Sequence, residues 1–503
     1  PVFTIKDVGL EEVTFQFYDA GKNLLPDRFD YNHFTLYDIY ADASDLRIVS
    51  DTLQVDVHHM RGYEPDYDFT IHDFTGFYQF TNQSMLFDDF EVHAGNSILR
   101  DSLVFNYRTK ASLGYFNDSV TLVANIKDSE LHTQDLARFA PTLLEYDDLY
   151  QVSGNFSGQV SDFTLSNMTF SVGDASRLIG KVSFDGLPET KEAFTDLQLR
   201  SSQVSAADLR QYVNNEEAYR NVKKFGMVSF DAEFLGFPYD FVANGQFSTH
   251  LGNIESDINL KLLDTPVYSG NLSLQDFDLG TITDDPDLLQ RTSFRGYIEG
   301  EGITVEEARF NLEAEFDYLG INQYTYQNIT TDARLARSFF EGQLAINDPN
   351  LKFTANGTLD FRAGEERIKL AAKLDTVFFH ELNLSDKYLF LSTQLDADTR
   401  GLEVDHLKGK AAFDNLYLAY DDRKLSIDSL RFQSDFDSLS RRVAVQTERI
   451  QAELFGDFKF TTLASDIQKL AKEYQLIFRN DKEELNAYYA ARQVRPVQEY
   501  QDQ

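Results

Sequence analysis

The stretch FEGQLAINDPNLKFTANGTLDF, Phe340–Phe361, decides the fold. Read in twos, Phe340, Gly342, Leu344 and Ile346 fall on one face, and Glu341, Gln343 and Asn347 on the other. After Asn347-Asp348-Pro349-Asn350 the alternation resumes. Leu351, Phe353, Ala355, Leu359 and Phe361 interleave with Lys352, Thr354, Asn356, Thr358 and Asp360. Strict alternation on both sides of an Asx/Pro turn predicts an antiparallel hairpin with one apolar and one wet face. The apolar face needs a cover, either a second sheet or a ligand.

The same pattern runs outward through most of the chain. Short alternating runs such as Val13–Phe17, Leu53–Val57 and Leu103–Tyr107 fill residues 1–127. An apolar-x-Gly-x-apolar core recurs at Gly154, Gly245, Gly270, Gly296, Gly342, Gly357 and Gly409. A strand glycine marks a bulge, a bend or a close backbone approach, so its recurrence predicts a sheet bent along a common line. At about 10–12 residues per strand and turn, 503 residues supply about 40 strands. Open twisted sheets rarely exceed about ten strands without curling or splitting. The expectation is a mainly β protein: an elongated antiparallel groove of repeating hairpins, with a few short helices and a helical tail.

Helical spacing interrupts the strands at three places. Thr133–Tyr146 has Thr133 as N-cap, an apolar stripe of Leu136, Phe139 and Leu143, and Pro141 as a breaker. Ser205–Val213 has Ser205 as N-cap, and a polar continuation reaches Lys224. In the tail, Ser465 caps one helix with Ile467, Leu470, Ala471 and Tyr474 in line. Asn480 caps a second, with Glu483 completing a capping box, until Pro496. The chain thus divides into β segment 1–127, helical insert 128–148, β repeat 149–202, helical insert 203–225, β-groove repeats 226–462 and helical tail 463–503.

Composition excludes several functions. A formal charge of −36 is incompatible with general nucleic-acid binding, which needs Lys and Arg to displace phosphate counterions. The acidic residues are interspersed with apolar ones and read as a solvated face that keeps a β-rich chain soluble. The chain has no cysteine and no tryptophan, but 43 Phe and 26 Tyr, which suit half-buried pleated surfaces. Without cysteine there is no disulfide, thiol nucleophile or thiolate metal site. No run reaches the ~18 apolar residues of a membrane span. The opening Pro1-Val2-Phe3, without initiator Met or signal peptide, reads as part of a longer chain.

Catalytic signatures are absent from the sequence. Adjacent His58 and His59 point to opposite strand faces, and His72 and His93 are read as surface groups. Gly154-Asn155-Phe156-Ser157-Gly158 has its serine one place off a nucleophile elbow. Asp396–Gly401 begins like a calcium loop, but Arg400 interrupts it and Leu407 stands where the closing Glu belongs. Asp284-Asp285 and Asp421-Asp422 read as turn residues. The chain is expected to be no enzyme and to hold no metal or cofactor. Eight Asn-x-Ser/Thr sequons, at Asn82, Asn117, Asn155, Asn167, Asn271, Asn328, Asn356 and Asn383, are what an Asn/Ser/Thr-rich polar face produces by chance.

Several segments resemble the AsmA-like superfamily, specifically bacteroidete-type members of the TamB (translocation and assembly module) family. They are His72–Phe80, Met85–Phe105, Asn155–Pro188, Ser269–Ile282 and the opening hairpin. FEVHAGNSIL (90–99) and FSVGDASRL (170–178) look like two copies of one unit. The resemblance lies in pattern across nearly the whole chain. It implies a taco-shaped β-groove in the periplasm of a Gram-negative envelope, carrying phospholipid between inner and outer membrane or assisting outer-membrane protein assembly. It also implies an inner-membrane anchor outside this segment and, in some members, a BamA-family outer-membrane barrel as partner. Phe340, Leu344, Ile346, Leu351, Phe353, Leu359 and Phe361 are then expected to line the lipid groove. Two other readings stand beside it: an extracellular array of β-sandwich adhesin or glycan-binding domains, and a structural subunit whose groove holds a partner strand or helix. The tail helices themselves are candidates to lie across the groove.

Overall fold

The computed structural model describes residues 2–24, 29–30, 32–138, 141–187, 191–304, 306–401, 403–436, 440–479 and 482–492. Two compact units divide the chain, Pro1–Thr325 and Tyr326–Gln503. The boundary falls inside the stretch that alternation alone treats as uniform, 226–462.

The first unit is a ladder of long strands: β1 (Val2–Tyr18), β2 (His33–Val49), β3 (Thr52–Glu64), β4 (Phe69–Phe80), β5 (Ser84–Ala94), β6 (Ser97–Tyr107), β7 (Val120–His132), β8 (Leu149–Gly158) and β9 (Asp162–Val172). It continues with β10 (Ser176–Asp185), β11 (Phe194–Ser205), β12 (Met227–Phe237), β13 (Asp240–Thr249), β14 (Gly252–Lys261), β15 (Val267–Asp278), β16 (Leu289–Glu301) and β17 (Arg309–Ile321). Within the unit consecutive strands pair antiparallel, as at β2–β3, β7–β8, β12–β13 and β16–β17. The second unit repeats the design with β18 (Tyr324–Ala336), β19 (Phe339–Asn347), β20 (Leu351–Asp360), β21 (Arg367–Phe378), β22 (Leu389–Arg400), β23 (Lys408–Tyr420), β24 (Arg423–Phe436), β25 (Arg441–Thr447) and β26 (Gln451–Gly456).

The hairpin predicted from Phe340–Phe361 is β19–β20, and its register pairs Phe340 with Leu359, Leu344 with Ala355 and Ile346 with Phe353. Asp348 makes the turn. Its buried carboxylate accepts from Asn350 N at 2.8 Å and Gln327 N at 3.1 Å, and its own amide donates to Leu351 O at 3.0 Å. This is an Asx turn with a proline inside it.

The described residues form 26 strands, fewer than the 40 expected, because the strands bend without breaking. Asp89, Asp128, Asn167, Ser201, Asp276, Asn328 and Asn415 sit mid-strand with φ of 45–52°. Register shifts accompany them, between Phe87 and Phe90, Ile126 and Ser129, Leu199 and Ser202, and Leu274 and Phe277. Each adds a residue to one strand and bends the ladder there. The bend devices are therefore short polar residues that tolerate the left-handed region, not the glycines that the sequence pattern singles out. The glycines permit close approach instead. Gly342 and Gly357 face each other with φ of 151° and 154°, and an added Cβ would lie 2.3 Å from Asp332 O and 2.0 Å from Lys369 O.

Little of the chain is deeply buried. The accessible area is 30608 Å². Two separate compact globules sharing this mass would expose only about 22,000 Å². The clearest apolar core clusters are both in the first unit: Met168, Val182 and Leu199 under Phe230 and Phe234, and Leu251, Leu274 and Phe277 beside Phe225 and Phe294.

The helices depart from expectation. The 128–148 insert keeps β7 to His132, then makes one turn, α2 (Thr133–Leu136; α1 is Phe116–Ser119), and a 3-10 turn, Pro141–Glu145. Phe139 lies outside the described residues. Ser205–Val213 contains no helix. There the Asp208 carboxylate reaches back to accept from the amides of Asp174, Ala175 and Ser176 and from Ser176 Oγ, and the helix forms later as α3 (Glu216–Lys223). Its cap is Asn215, which accepts from Glu217 N at 2.9 Å and Ala218 N at 3.0 Å. A short α4 (Leu279–Thr283) interrupts the later strands. In the tail, α5 (Phe460–Arg479) starts five residues before Ser465, and α6 (Lys482–Arg492) follows. Asp405, 56 residues away, caps α5 by accepting from Thr461 N at 3.2 Å and Thr461 Oγ1 at 2.6 Å. Asn480 and Pro496 lie outside the described residues.

Candidate functional site

The apolar face is most complete across β12–β17. The register stacks its side chains into rows that run across the strands. One row reads Phe230, Phe247, Ile254, Leu274, Phe294, Phe316, and the next Ala232, Gly245, Ser256, Leu272, Gly296, Ala314. Then come Phe234, Ala243, Ile258, Gly270, Ile298, Leu312 and, nearest the strand ends, Gly236, Phe241, Leu260, Tyr268, Gly300, Phe310. No charged side chain occurs in these four rows. Apart from Leu272 the second row is small, so it forms a floor between bulkier walls. Wall rows four residues apart stand roughly 14 Å from one another.

Floor residues are covered by their neighbours. Ala232 is 0 % exposed and Ala314 5 %, while ring pairs such as Phe230–Phe247 at 5.7 Å and Phe294–Phe316 at 4.9 Å close up the wall. An alanine this hidden on one face of an open ladder means that the side chains around it lean inward. The opposite face is mainly wet, with Leu235, Phe237 and Tyr297 as exposed exceptions: Asp231, Gln246, Glu255, Ser273, Arg295 and Glu315 form the row behind the floor and first wall. Arg295 and Glu315 pair there at 2.7 Å.

The second unit has the same plan. Ala333, Gly342, Gly357, Leu370, Ala397 and Ala411 form a floor row. Phe340, Leu359 and Ile368 stand on one side of it, and Leu344, Ala355, Ala372 and Leu395 on the other. Of the seven residues predicted to line a groove, Phe340, Leu344, Ile346, Leu351, Phe353 and Leu359 share this half-buried face. Phe361 lies past the end of β20, 45 % exposed, with its amide donating to Ser338 O at 2.8 Å. Alternation gave no sign of the rows themselves, because they depend on register between strands.

Two hollows, of 580 and 570 Å³, open on the wet faces instead. One is lined by Gln203, Ser229, Asp231, Gln246 and Asn253, the other by Gln343, Asn356, Lys373, Gln394 and Asp396. Phe230, Phe247 and Ile254 also border the first, and Ala355, Ala372 and Leu395 the second, so both linings are mixed.

The groups considered for chemistry are engaged separately. His58 meets Ser44 Oγ at 2.9 Å, His59 meets Asp73 at 3.3 Å, and His93 meets Glu91 at 2.6 Å. Ser157 is mid-strand opposite Val123, Asp398 pairs with Arg367 at 3.2 Å, and Asp284 with Lys224 at 2.7 Å. Among the described residues no three His, Asp or Glu are grouped to hold a metal. No described helix is long and apolar enough to cross a membrane. Sequon residues Asn155, Asn271 and Asn356 lie exposed on the wet face, and Asn167 and Asn328 are bulge residues.

Two perturbed groups lie in the 203–225 insert. Burial raises the Tyr212 hydroxyl, and its hydrogen bonds to Asp148 and Tyr150 raise it further. This cluster ties the two inserts of the first unit together. At Asp208, burial pushes the carboxyl up, but the hydrogen bonds from Ser176 and the amides of 174–176 outweigh it and hold the group below the usual range.

Comparison with known proteins finds no matching family model, no matching curated protein and no matching solved structure.

Proposed function

We propose that this chain is a non-enzymatic segment of a lipid conduit in a Gram-negative cell envelope. Its apolar lanes would hold phospholipid acyl chains as they move between membranes. One observation carries the reading: on one face of the ladder in each unit, rows of uncharged, mainly apolar side chains flank a floor made largely of Gly and Ala. At about 0.8 kcal/mol per CH₂, two acyl chains in water cost on the order of 25 kcal/mol. A continuous apolar lane removes most of that cost.

The resemblance to the AsmA-like superfamily and its TamB family supports the same reading, and with it a periplasmic location, an inner-membrane anchor outside this segment and a BamA-family barrel as partner. The family assignment is part of the proposal. An array of sandwich domains of about 100 residues is the weaker alternative. Among the described residues consecutive strands pair within each unit, without the Greek-key crossover that builds such domains.

The test is lipid extraction from protein purified without harsh detergent. Wild type should carry phospholipid in stoichiometric amounts. Phe353→Asp and Leu359→Asp should each lose it from the second unit while keeping the β signature in circular dichroism. Lipid-free wild type would end the proposal.

A further inference from the structure

The two rims of the first unit differ in chemistry. At one rim the connections fold back on themselves, with Leu288 as the exposed exception. Lys224 Nζ donates to Ile282 O at 2.8 Å and pairs with Asp284, Leu251 is 2 % exposed, and Phe277 is 4 % exposed. The other rim carries the β12–β13, β14–β15 and β16–β17 connections, which present apolar side chains outward. Phe237 is 46 % exposed, Tyr239 50 %, Leu262 41 %, Leu263 62 % and Ile303 68 %. Successive tips are two strands, or about 10 Å, apart. Backbone bonds hold them in line, from Leu262 N to Tyr239 O at 2.8 Å and from Gly302 N to Pro266 O at 2.9 Å.

We propose that this row of tips docks on a neutral, zwitterionic bilayer surface and sets the lane's mouth against it. The inference rests on the lipid-carrying reading and adds where lipid enters. Three observations choose the occupant. The last apolar row of the lane, with Phe241, Leu260, Tyr268 and Phe310, adjoins the tips directly, so apolar surface continues from lane to tip. The ionic groups of the terminal row cancel, Lys261 with Asp240 at 3.0 Å and Arg309 with Glu301 at 3.8 Å. Two further loop charges, Asp264 and Glu307, are acidic and would be repelled by an anionic surface. Tyr, Phe, Leu and Ile on separate turn tips match an interface into which each tip dips on its own.

The absence of tryptophan from the chain makes a clean probe possible. Leu263→Trp and, at the opposite rim, Leu288→Trp each introduce a single fluorophore at an exposed site; Leu288 is 50 % exposed. Phosphatidylcholine vesicles should shift the Leu263→Trp emission to the blue, and brominated chains should quench it at least threefold more than the Leu288→Trp emission. Tyr239→Asp with Ile303→Asp should lower vesicle partitioning at least tenfold, with copurified phospholipid unchanged. Equal response at both rims, no response to phosphatidylcholine, or a blue shift that tracks protein concentration without vesicles, as a second copy would give, overturns the docking. Loss of copurified lipid with the blue shift intact would count against the conduit and leave the docking standing.

Discussion

Two stretches of the same ladder design treat their apolar face differently. Around β9–β12 the chain covers itself: Met168, Val182 and Leu199 are 5 %, 6 % and 2 % exposed beneath Phe230 and Phe234. Around β19–β21 the corresponding face holds Phe340, Leu344, Phe353 and Leu359 half-buried around the Gly342–Gly357 pair. Where the bulges at Asn167 and Ser201 bend the strands, opposite side chains meet and form a small dry core. β19 and β20 pair without a shift, and there the wall residues are half-buried while the floor alanine Ala333 is 4 % exposed.

The largest expected effect separates these two parts. Leu199→Ala should cost about 2–5 kcal/mol, as for a fully buried leucine that leaves a cavity. Leu359→Ala should cost about 1 kcal/mol, since its methyls are already partly wet. Hydrogen exchange in β10–β12 and β20–β21 reads the two separately. Equal losses would mean that the second face is covered after all.

Next in size is strain. Gly357→Val forces a Cβ against Lys369 O at a φ that L-residues avoid, and should cost about 1–3 kcal/mol in the protection of β19–β21. The same replacement at Gly364, which has no heavy atom within 4 Å of its Cβ but a φ of 84°, should cost less. If the order reverses, close approach is not what the paired glycines serve.

The smallest effect is a pH dependence confined to the first unit. Asp208 is held below the usual carboxylate range in the folded state, so the unfolded chain binds its proton first as pH falls. Its contribution is complete above the ordinary aspartate value and disappears as pH drops through the lowered folded value. Asp208→Asn should flatten the acid limb of stability in β9–β11 and leave β19–β21 unchanged. An unaltered acid limb would show that the turn 173–176 does not depend on this carboxylate.

Much of this was legible in the alternation. The bounds of β19–β20, the class and the two-faced strands follow from period two, which one strand carries by itself. What escaped depended on distant partners. The cap of α5 is Asp405, not the nearby Ser465, because Asp405 reaches the first-turn amide from another part of the chain. Ser205 looked like an N-cap, but its segment is held in turns by the pull of Asp208 on 174–176. Bulges at Asp89 or Asn167 look like ordinary polar strand positions in the sequence. The rows of the lane needed register, and the apolar rim needed the order in which connections reach each end of the strands.

The central claim is that the apolar face, and not the wet one, meets acyl chains. A photoreactive benzoylphenylalanine at Phe353 and one at its neighbour Thr354 place the same probe on opposite faces of β20, since Phe353 is half-buried and Thr354 exposed. Irradiation of protein purified with its lipid, followed by mass spectrometry, should give a phospholipid adduct at position 353 and none at 354. Equal labelling at both positions, or adducts only to protein at 353, would contradict the account.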